Sequence, residues 1–119
     1  MPNLDLPILV VDDAKFSSMV VGRTLRNAGY RDVRIANNAP AALEFIDQRP
    51  VSVLIADWLM PEMDGLQLLQ ESKRLRPETE VVVMTAHASV ETAVRAMKEG
   101  ATDYLSKPFD KDELLMGIE

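Results

Sequence analysis

Three aspartates, a threonine and a lysine carry the chemistry open to this chain. Asp12 and Asp13 follow the apolar run at residues 8–11 (ILVV), Asp57 follows residues 53–56 (VLIA), Thr85 follows residues 81–84 (VVVM), and Lys107 follows residues 104–106 (YLS). Each run has the length and composition of a β-strand. In an open parallel α/β sheet, ligands bind at the carboxyl ends of the strands. Residues spread from position 12 to position 107 would therefore meet on one edge. Their charges decide what they could do there. Three carboxylates and one ammonium leave a net −2, and crowded carboxylates raise one another's pKa unless a cation compensates them. One divalent ion brings the sum to zero. An oxygen-only donor set selects Mg²⁺, Mn²⁺ or Ca²⁺ over zinc or copper. Mg²⁺ fits best, because it keeps waters and is held by one or two carboxylates plus phosphate oxygens; Mn²⁺ can replace it. An aspartate beside such an ion, with a lysine and a hydroxyl set for the equatorial oxygens of a phosphoryl group, can attack phosphorus. Asp57 is the candidate nucleophile, standing alone at the central strand end. Asp12 and Asp13, paired on the adjacent strand, are the candidate metal holders.

Such distant residues converge only if strands and helices alternate, and helical patterns do lie between the strand runs. The first helix opens near Ala14, carries Phe16, Val20, Val21, Leu25 and Ala28 as an apolar stripe, and stops at Gly29. A short strand at residues 32–35 follows. Asn38 is placed to cap a second helix, with Pro40 in its first turn and Leu43 and Ile46 inward, up to Pro50. Asp64 and Gly65 turn the chain into a third helix bearing Leu68, Leu69 and Leu75, which ends before Pro77. Ser89 caps a fourth, where Val90, Ala93, Val94 and Met97 keep the i, i+3, i+4, i+7 spacing and Gly100 terminates. A fifth opens near Asp110 or Lys111 with Leu114, Leu115 and Ile118 inward.

The third and fourth strand runs are apolar throughout, as in strands covered on both faces. The pattern predicts a flavodoxin-like (βα)5 three-layer α/β sandwich with five parallel strands in the order 2-1-3-4-5. Strands 1 and 3 are then neighbours at the switch point, and Asp12, Asp13 and Asp57 face one another across one crevice. The last helix runs for about nine residues, marginal for a helix standing alone. Residues 1–119 are expected to form one domain whose natural chain continues beyond residue 119, with the fifth helix truncated.

Composition narrows the class further. The 119 residues are 47% apolar and 27% charged, which describes one soluble globular domain and not a disordered chain. A formal net charge of −6 argues against nucleic-acid binding by this domain. Arg23, Arg26, Arg31 and Arg34 read as a solvated helix face. The chain has no cysteine, which excludes disulfides and thiolate metal sites and fits a reducing compartment. No apolar run has transmembrane length and no signal peptide is visible, so a cytoplasmic location is expected.

The stretches ILVVDD, LIADWLMPEMDG, VVVMTAHA and GATDYLSKPF, in this order, resemble the receiver domain of bacterial response regulators over essentially the whole chain. DDAKF is similar to CheY-like chemotaxis receivers, while MTAHASVETAVRAMKEGATDYLSKPF is more similar to NtrC-type receivers. The resemblance implies a two-component phosphorelay in which Asp57 takes a phosphoryl group from the phosphohistidine of a sensor histidine kinase or phosphotransfer protein. It implies that Asp13, Asp57 and the backbone carbonyl of Leu59 ligate Mg²⁺, with Asp12 acting through a metal-bound water. Thr85 would move to the phosphoryl oxygen and Lys107 would pair with it. Tyr104 would change rotamer into the space Thr85 vacates and alter the face of helix 4, strand 5 and helix 5. A downstream output domain or target protein would read that face, with phosphorylation-dependent homodimerisation as one form of output. The Lys107–Pro108 peptide would be cis. The domain would catalyse its own phosphorylation and dephosphorylation, yet its role would be that of a switch and not an enzyme.

Taken singly, these residues have blander readings. An Asp pair after a strand is usually a capping pair, Thr85 could cap a turn, and Lys107 could be a solvated amine; their conjunction at equivalent strand ends is what points to a site. Tyr104 reads equally well as half-buried packing. Met60 and Met63 read as packing, and Asp64-Gly65 as a turn. His87, the sole histidine, reads as an exposed loop imidazole; with Leu59 it occupies the positions that the resemblance ties to phosphoryl lifetime. Trp58, the sole tryptophan, adjoins Asp57, so Mg²⁺ binding is expected to change its fluorescence. Two other functions stay open. A haloacid-dehalogenase-like phosphatase uses similar groups but would want its nucleophile on strand 1 in an Asp-x-Asp arrangement, plus a cap segment. A receiver-like scaffold that no longer accepts phosphate would be expected to lack an acidic residue, and this chain lacks none.

Overall fold

The alternating signals resolve into ten elements in a computed structural model, which describes residues 4–58, 65–86, 89–107 and 110–118. They are β1 (Ile8–Val11), α1 (Lys15–Asn27), β2 (Val33–Ala36), α2 (Ala39–Gln48), β3 (Val53–Asp57), α3 (Gly65–Leu75), β4 (Glu80–Thr85), α4 (Val90–Lys98), β5 (Asp103–Ser106) and α5 (Lys111–Ile118). All pairings are parallel, in the order β2-β1-β3-β4-β5 expected from the sequence. Residue 33, not 32, opens β2: Asp32 instead lends its backbone oxygen to Ile8 N–H at 2.8 Å.

Side chains alternate across each strand, so the sheet divides the core in two. Leu9, Val11, Leu54, Ala56, Val81 and Val83 pack with Ala42 and Ile46 of α2, Leu68 and Leu69 of α3 and Ala96 of α4. Ile8, Val10, Ile55, Val82, Met84 and Leu105 pack on the other side with Val21 and Leu25 of α1 and Leu114 of α5. Leu115 and Ile118 lie at the edge of that second cluster, as their spacing predicts. Helix ends follow local chemistry. The Asn38 side chain accepts the Ala41 N–H at 2.8 Å, with Pro40 in the first turn. Gly29 and Gly100 leave α1 and α4 at φ +105° and +102°, a region open to glycine at little cost.

Two helical stripes are placed in part differently from the sequence expectation, although Val21 and Leu25 of α1 are buried as expected. On α1, Phe16 is 80% exposed and Val20 is also exposed, and the buried residues are Ser18, Val21, Gly22 and Leu25. On α4, Val90 is 83% exposed, Val94 and Met97 are exposed as well, and only Ala96 is buried. The reason is the same in both. A helix lying close on a sheet turns its small residues inward, and a Cβ on Gly22 would already sit 3.2 Å from Ile35 Cδ1. Val21 and Leu25 of α1 still face the core, while Phe16 and Val20 of α1 and Val90, Val94 and Met97 of α4 are left on the outside. No helix among the described residues is long and apolar enough to cross a membrane.

This arrangement predicts that Leu25→Ala costs about 2–5 kcal/mol in urea denaturation, while Phe16→Ser and Val90→Ser stay within about 0.5 kcal/mol of wild type. A Phe16→Ser loss as large as that of Leu25→Ala would place Phe16 in the core.

Candidate functional site

Sheet register delivers the five residues to one edge. Val11 pairs with Ala36 on one side and Ala56 on the other, so Asp12 and Asp57 leave adjacent strands at the same level. Backbone bonds extend the ladder past the strand ends. Asp12 N–H donates to Ala36 O at 3.3 Å, Trp58 N–H to Met84 O at 2.8 Å, and Lys107 N–H to Thr85 O at 2.7 Å. Behind Asp57 the chain re-enters at Gly65, whose N–H donates to Trp58 O at 2.7 Å. A Cβ there would lie 2.6 Å from Trp58 Cα and 2.8 Å from Asp57 O, so only glycine fits this close approach.

Carboxylate oxygens of Asp12, Asp13 and Asp57 lie within 4.8 Å of one another. Lys107 Nζ donates to Asp12 Oδ2 and to Asp57 Oδ2, each at 3.1 Å. The four residues differ in exposure. The Asp12 side chain is fully buried, Asp57 and Lys107 are largely buried, and Asp13 is exposed. Asp12 Oδ1 also accepts the Ala14 N–H at 2.9 Å, just ahead of α1. Burial works against the charge on Asp12, but hydrogen bonds from Ser17, the Ala14 N–H and Lys107, with the charge of Lys107, outweigh it and hold the carboxyl below its ordinary 3.8. Burial likewise works against Lys107, and the hydrogen bond to Asp12 with the charges of Asp57 and Asp12 holds its ammonium above its ordinary 10.5.

Thr85 is buried at the end of β4. Val83 pairs with Tyr104 and Thr85 with Ser106, so Thr85, Val83 and Tyr104 share the sheet face covered by α4. The Tyr104 hydroxyl lies 2.6 Å from Thr92 Oγ1. Ser17 and Thr92 are the two residues missed in the sequence. Ser17 stands one helical turn past the acidic pair, and Thr92 occupies the third helical position after the Ser89 cap, so both carried a positional signal. Leu59 and its carbonyl, Met60, Met63, Asp64, His87 and the Lys107–Pro108 peptide lie outside the described residues.

The donor set is three carboxylates, all oxygen, at the mouth of a sheet whose resident ammonium leaves negative charge uncompensated. These residues fit a hard divalent cation.

The model of the family described as "response regulator receiver domain" matches residues 8–119. The chain belongs to that family. The transcriptional regulatory protein ZraR of Escherichia coli O157:H7 is 44% identical over 119 residues, which is 100% of this chain and 27% of ZraR. The chain thus spans about a quarter of the length of the curated relatives it matches. A Burkholderia pseudomallei response regulator, solved with a phosphorylated aspartic acid, a calcium ion and citrate, is 32% identical with a TM-score of 0.88, covering 97% of this chain and 67% of that one. The beryllofluoride-activated NtrC4 receiver domain dimer, solved in solution, is 34% identical with a TM-score of 0.88, covering 94% of this chain and 92% of that one. This receiver domain is therefore a part of two-component signalling and not a dehalogenase-type phosphatase.

The pKa directions give this receiver a defined pH response. The Asp12 contribution to stability is complete above 3.8 and is lost as pH falls through its lower folded value. The Lys107 contribution is complete below 10.5 and is lost as pH rises through its higher folded value. In metal-free buffer the thermal midpoint attributable to this pair should be level from about pH 5 to about pH 9 and fall at both ends. Asp12→Asn should flatten the acid limb and Lys107→Met the alkaline limb. Wild-type and Asp12→Asn profiles that run parallel down to about pH 3 would contradict the assignment.

Proposed function

We propose that Asp57 is the phosphoacceptor of a Mg²⁺-dependent switch that takes its phosphoryl group from a phosphohistidine on a sensor histidine kinase or phosphotransfer protein. The observation that carries the reading is the Lys107 ammonium held 3.1 Å from both Asp12 and Asp57, with Asp13 completing the acidic cluster. Asp13, Asp57 and the Leu59 carbonyl would hold the ion, and buried Asp12, with one oxygen on Ala14 and the other on Lys107, would act on it through water. Bound Mg²⁺, or Mn²⁺ in its place, supplies positive charge to the phosphoryl oxygens.

In this reaction an Asp57 carboxylate oxygen forms a bond to phosphorus as the bond to the imidazole nitrogen breaks. The pair of electrons leaves with the imidazole. Lys107 exchanges a carboxylate partner for a phosphoryl oxygen, and Thr85 turns its hydroxyl to another. Water later attacks the same phosphorus and restores Asp57, so the domain catalyses both its own phosphorylation and its own dephosphorylation. The exposed Phe16 and Val20 on α1, which follows Asp13 directly, offer an apolar surface for the donor protein to dock on. Tyr104 couples the site to α4, β5 and α5, where exposed Val90, Val94, Met97 and Met116 form the face for an output domain, a target protein or a second copy of the domain. We place the protein in the cytoplasm, with further chain beyond residue 119 carrying the output.

The test is intact mass after incubation with Mg²⁺ and acetyl phosphate. One added phosphoryl group is expected in wild type, none after Asp57→Asn, and none when the divalent ion is chelated. An unchanged wild-type mass, or a group that persists in Asp57→Asn, would defeat the assignment.

A further inference from the structure

The hydroxyl of Thr92 has four polar neighbours. It lies 2.6 Å from Tyr104 OH, 3.0 Å from Ser89 Oγ, 3.2 Å from Ser89 N and 3.2 Å from Ser89 O. A hydroxyl offers one donor and two acceptor positions, so the four contacts cannot all be satisfied together. Three of them are to Ser89, the cap of α4, and one of these, from Ser89 N–H, closes a capping box in which Ser89 Oγ in turn accepts the Thr92 N–H at 3.1 Å. The fourth and shortest ties that box to β5. The third helical position of a capping box is ordinarily Glu or Gln, which reaches back to the cap through a side-chain carboxylate or amide. Threonine serves the cap with the same oxygen that meets Tyr104.

The setting makes this contact matter. Ala96 is the one fully buried side chain among the described residues of α4, so packing fixes this helix to the sheet only weakly. Its first turn is held largely by the capping box and by Tyr104. Tyr104 and Thr85 share the α4 side of the sheet on neighbouring strands. Movement of Tyr104 toward Thr85 must therefore break the bond to Thr92 and leave the Thr92 hydroxyl to Ser89 alone.

We propose that Thr92 is a positioning residue for the switch: it latches Tyr104 against the first turn of α4 in the unphosphorylated domain. The hydroxyl contact thereby converts the Tyr104 rotamer into a change at the α4 N-terminus. This rests on the reading of Tyr104 as the switch residue. Because the latch stabilises the resting state only, removing it favours the activated state, by about 2- to 12-fold for one neutral hydrogen bond.

The experiment measures the affinity of beryllofluoride, with Mg²⁺ present, from Trp58 fluorescence. Tyr104→Phe keeps both the ring and the cap while removing the hydroxyl; Thr92→Val removes the other half of the bond. Each should tighten beryllofluoride binding by about 2- to 12-fold. The double variant should bind no more tightly than Tyr104→Phe, and Thr92→Ser should stay near wild type. Unchanged affinity in Tyr104→Phe would overturn the latch, as would effects that multiply in the double variant, because Thr92 would then act through the helix cap alone. If Thr92→Val fails to fold, Tyr104→Phe and Thr92→Ser still decide the matter. A wild type that binds no beryllofluoride would overturn the phosphoacceptor reading itself, whereas binding with unresponsive variants overturns only the latch.

Discussion

Lys107 holds one ammonium 3.1 Å from an oxygen of Asp12 and 3.1 Å from an oxygen of Asp57, and the carboxyl edge of the sheet is arranged around that contact. Removing one partner of a pair this buried ordinarily costs about 3–5 kcal/mol, because the other charge is left without compensation. Here the ammonium offsets only part of the acidic charge. Asp13 remains exposed beside it, and the cluster still carries room, in charge terms, for a divalent ion. A phosphoryl group arriving on Asp57 would add negative charge to the same place. On the proposed function the site would work by exchanging partners for one lysine, which in this structure is held on Asp12 and Asp57.

Such an exchange needs its groups fixed in depth. The parallel register brings Asp12 and Asp57 to the same level, and the Lys107 N–H bond to Thr85 O ties the fifth strand end to the fourth. Gly65 lets α3 start against the backbone of Asp57 and Trp58, closing the site from behind. Away from this edge the fold is held by two layers of aliphatic side chains on either face of the sheet. The site thus stands on a rigid base, while α4, which buries one small side chain, is the loosely held element beside it. A domain with this distribution of packing can change one face without repacking its core.

Much of this was legible in the sequence. Strand runs followed by Asp12, Asp57, Thr85 and Lys107 were visible because buried parallel strands are continuously apolar and their ends are polar. Asn38, Ser89, Gly29 and Gly100 marked helix ends through side-chain caps and left-handed backbone. The α1 stripe is right for Val21 and Leu25 but not for Phe16 and Val20, and the α4 stripe is exposed at Val90, Val94 and Met97, because hydrophobicity alone does not select the buried face. Ser18, Gly22 and Ala96 face the sheet owing to their small size, which outranks apolar character where a helix packs closely. Ser17 and Thr92 escaped notice because a lone hydroxyl on a helix has many roles, and only three-dimensional placement sets it beside Asp12 or Tyr104.

The central claim is that Lys107 is the resident cation of an acidic cluster built for a second, divalent one. Its most direct measurement is a Mg²⁺ titration of Trp58 fluorescence in wild type and in Lys107→Met at constant pH. With the competing ammonium gone and three carboxylates intact, Mg²⁺ should bind Lys107→Met at least as tightly as wild type, and more tightly at low ionic strength. Loss of Mg²⁺ binding in Lys107→Met, in a variant that keeps its fold by circular dichroism, would contradict this account.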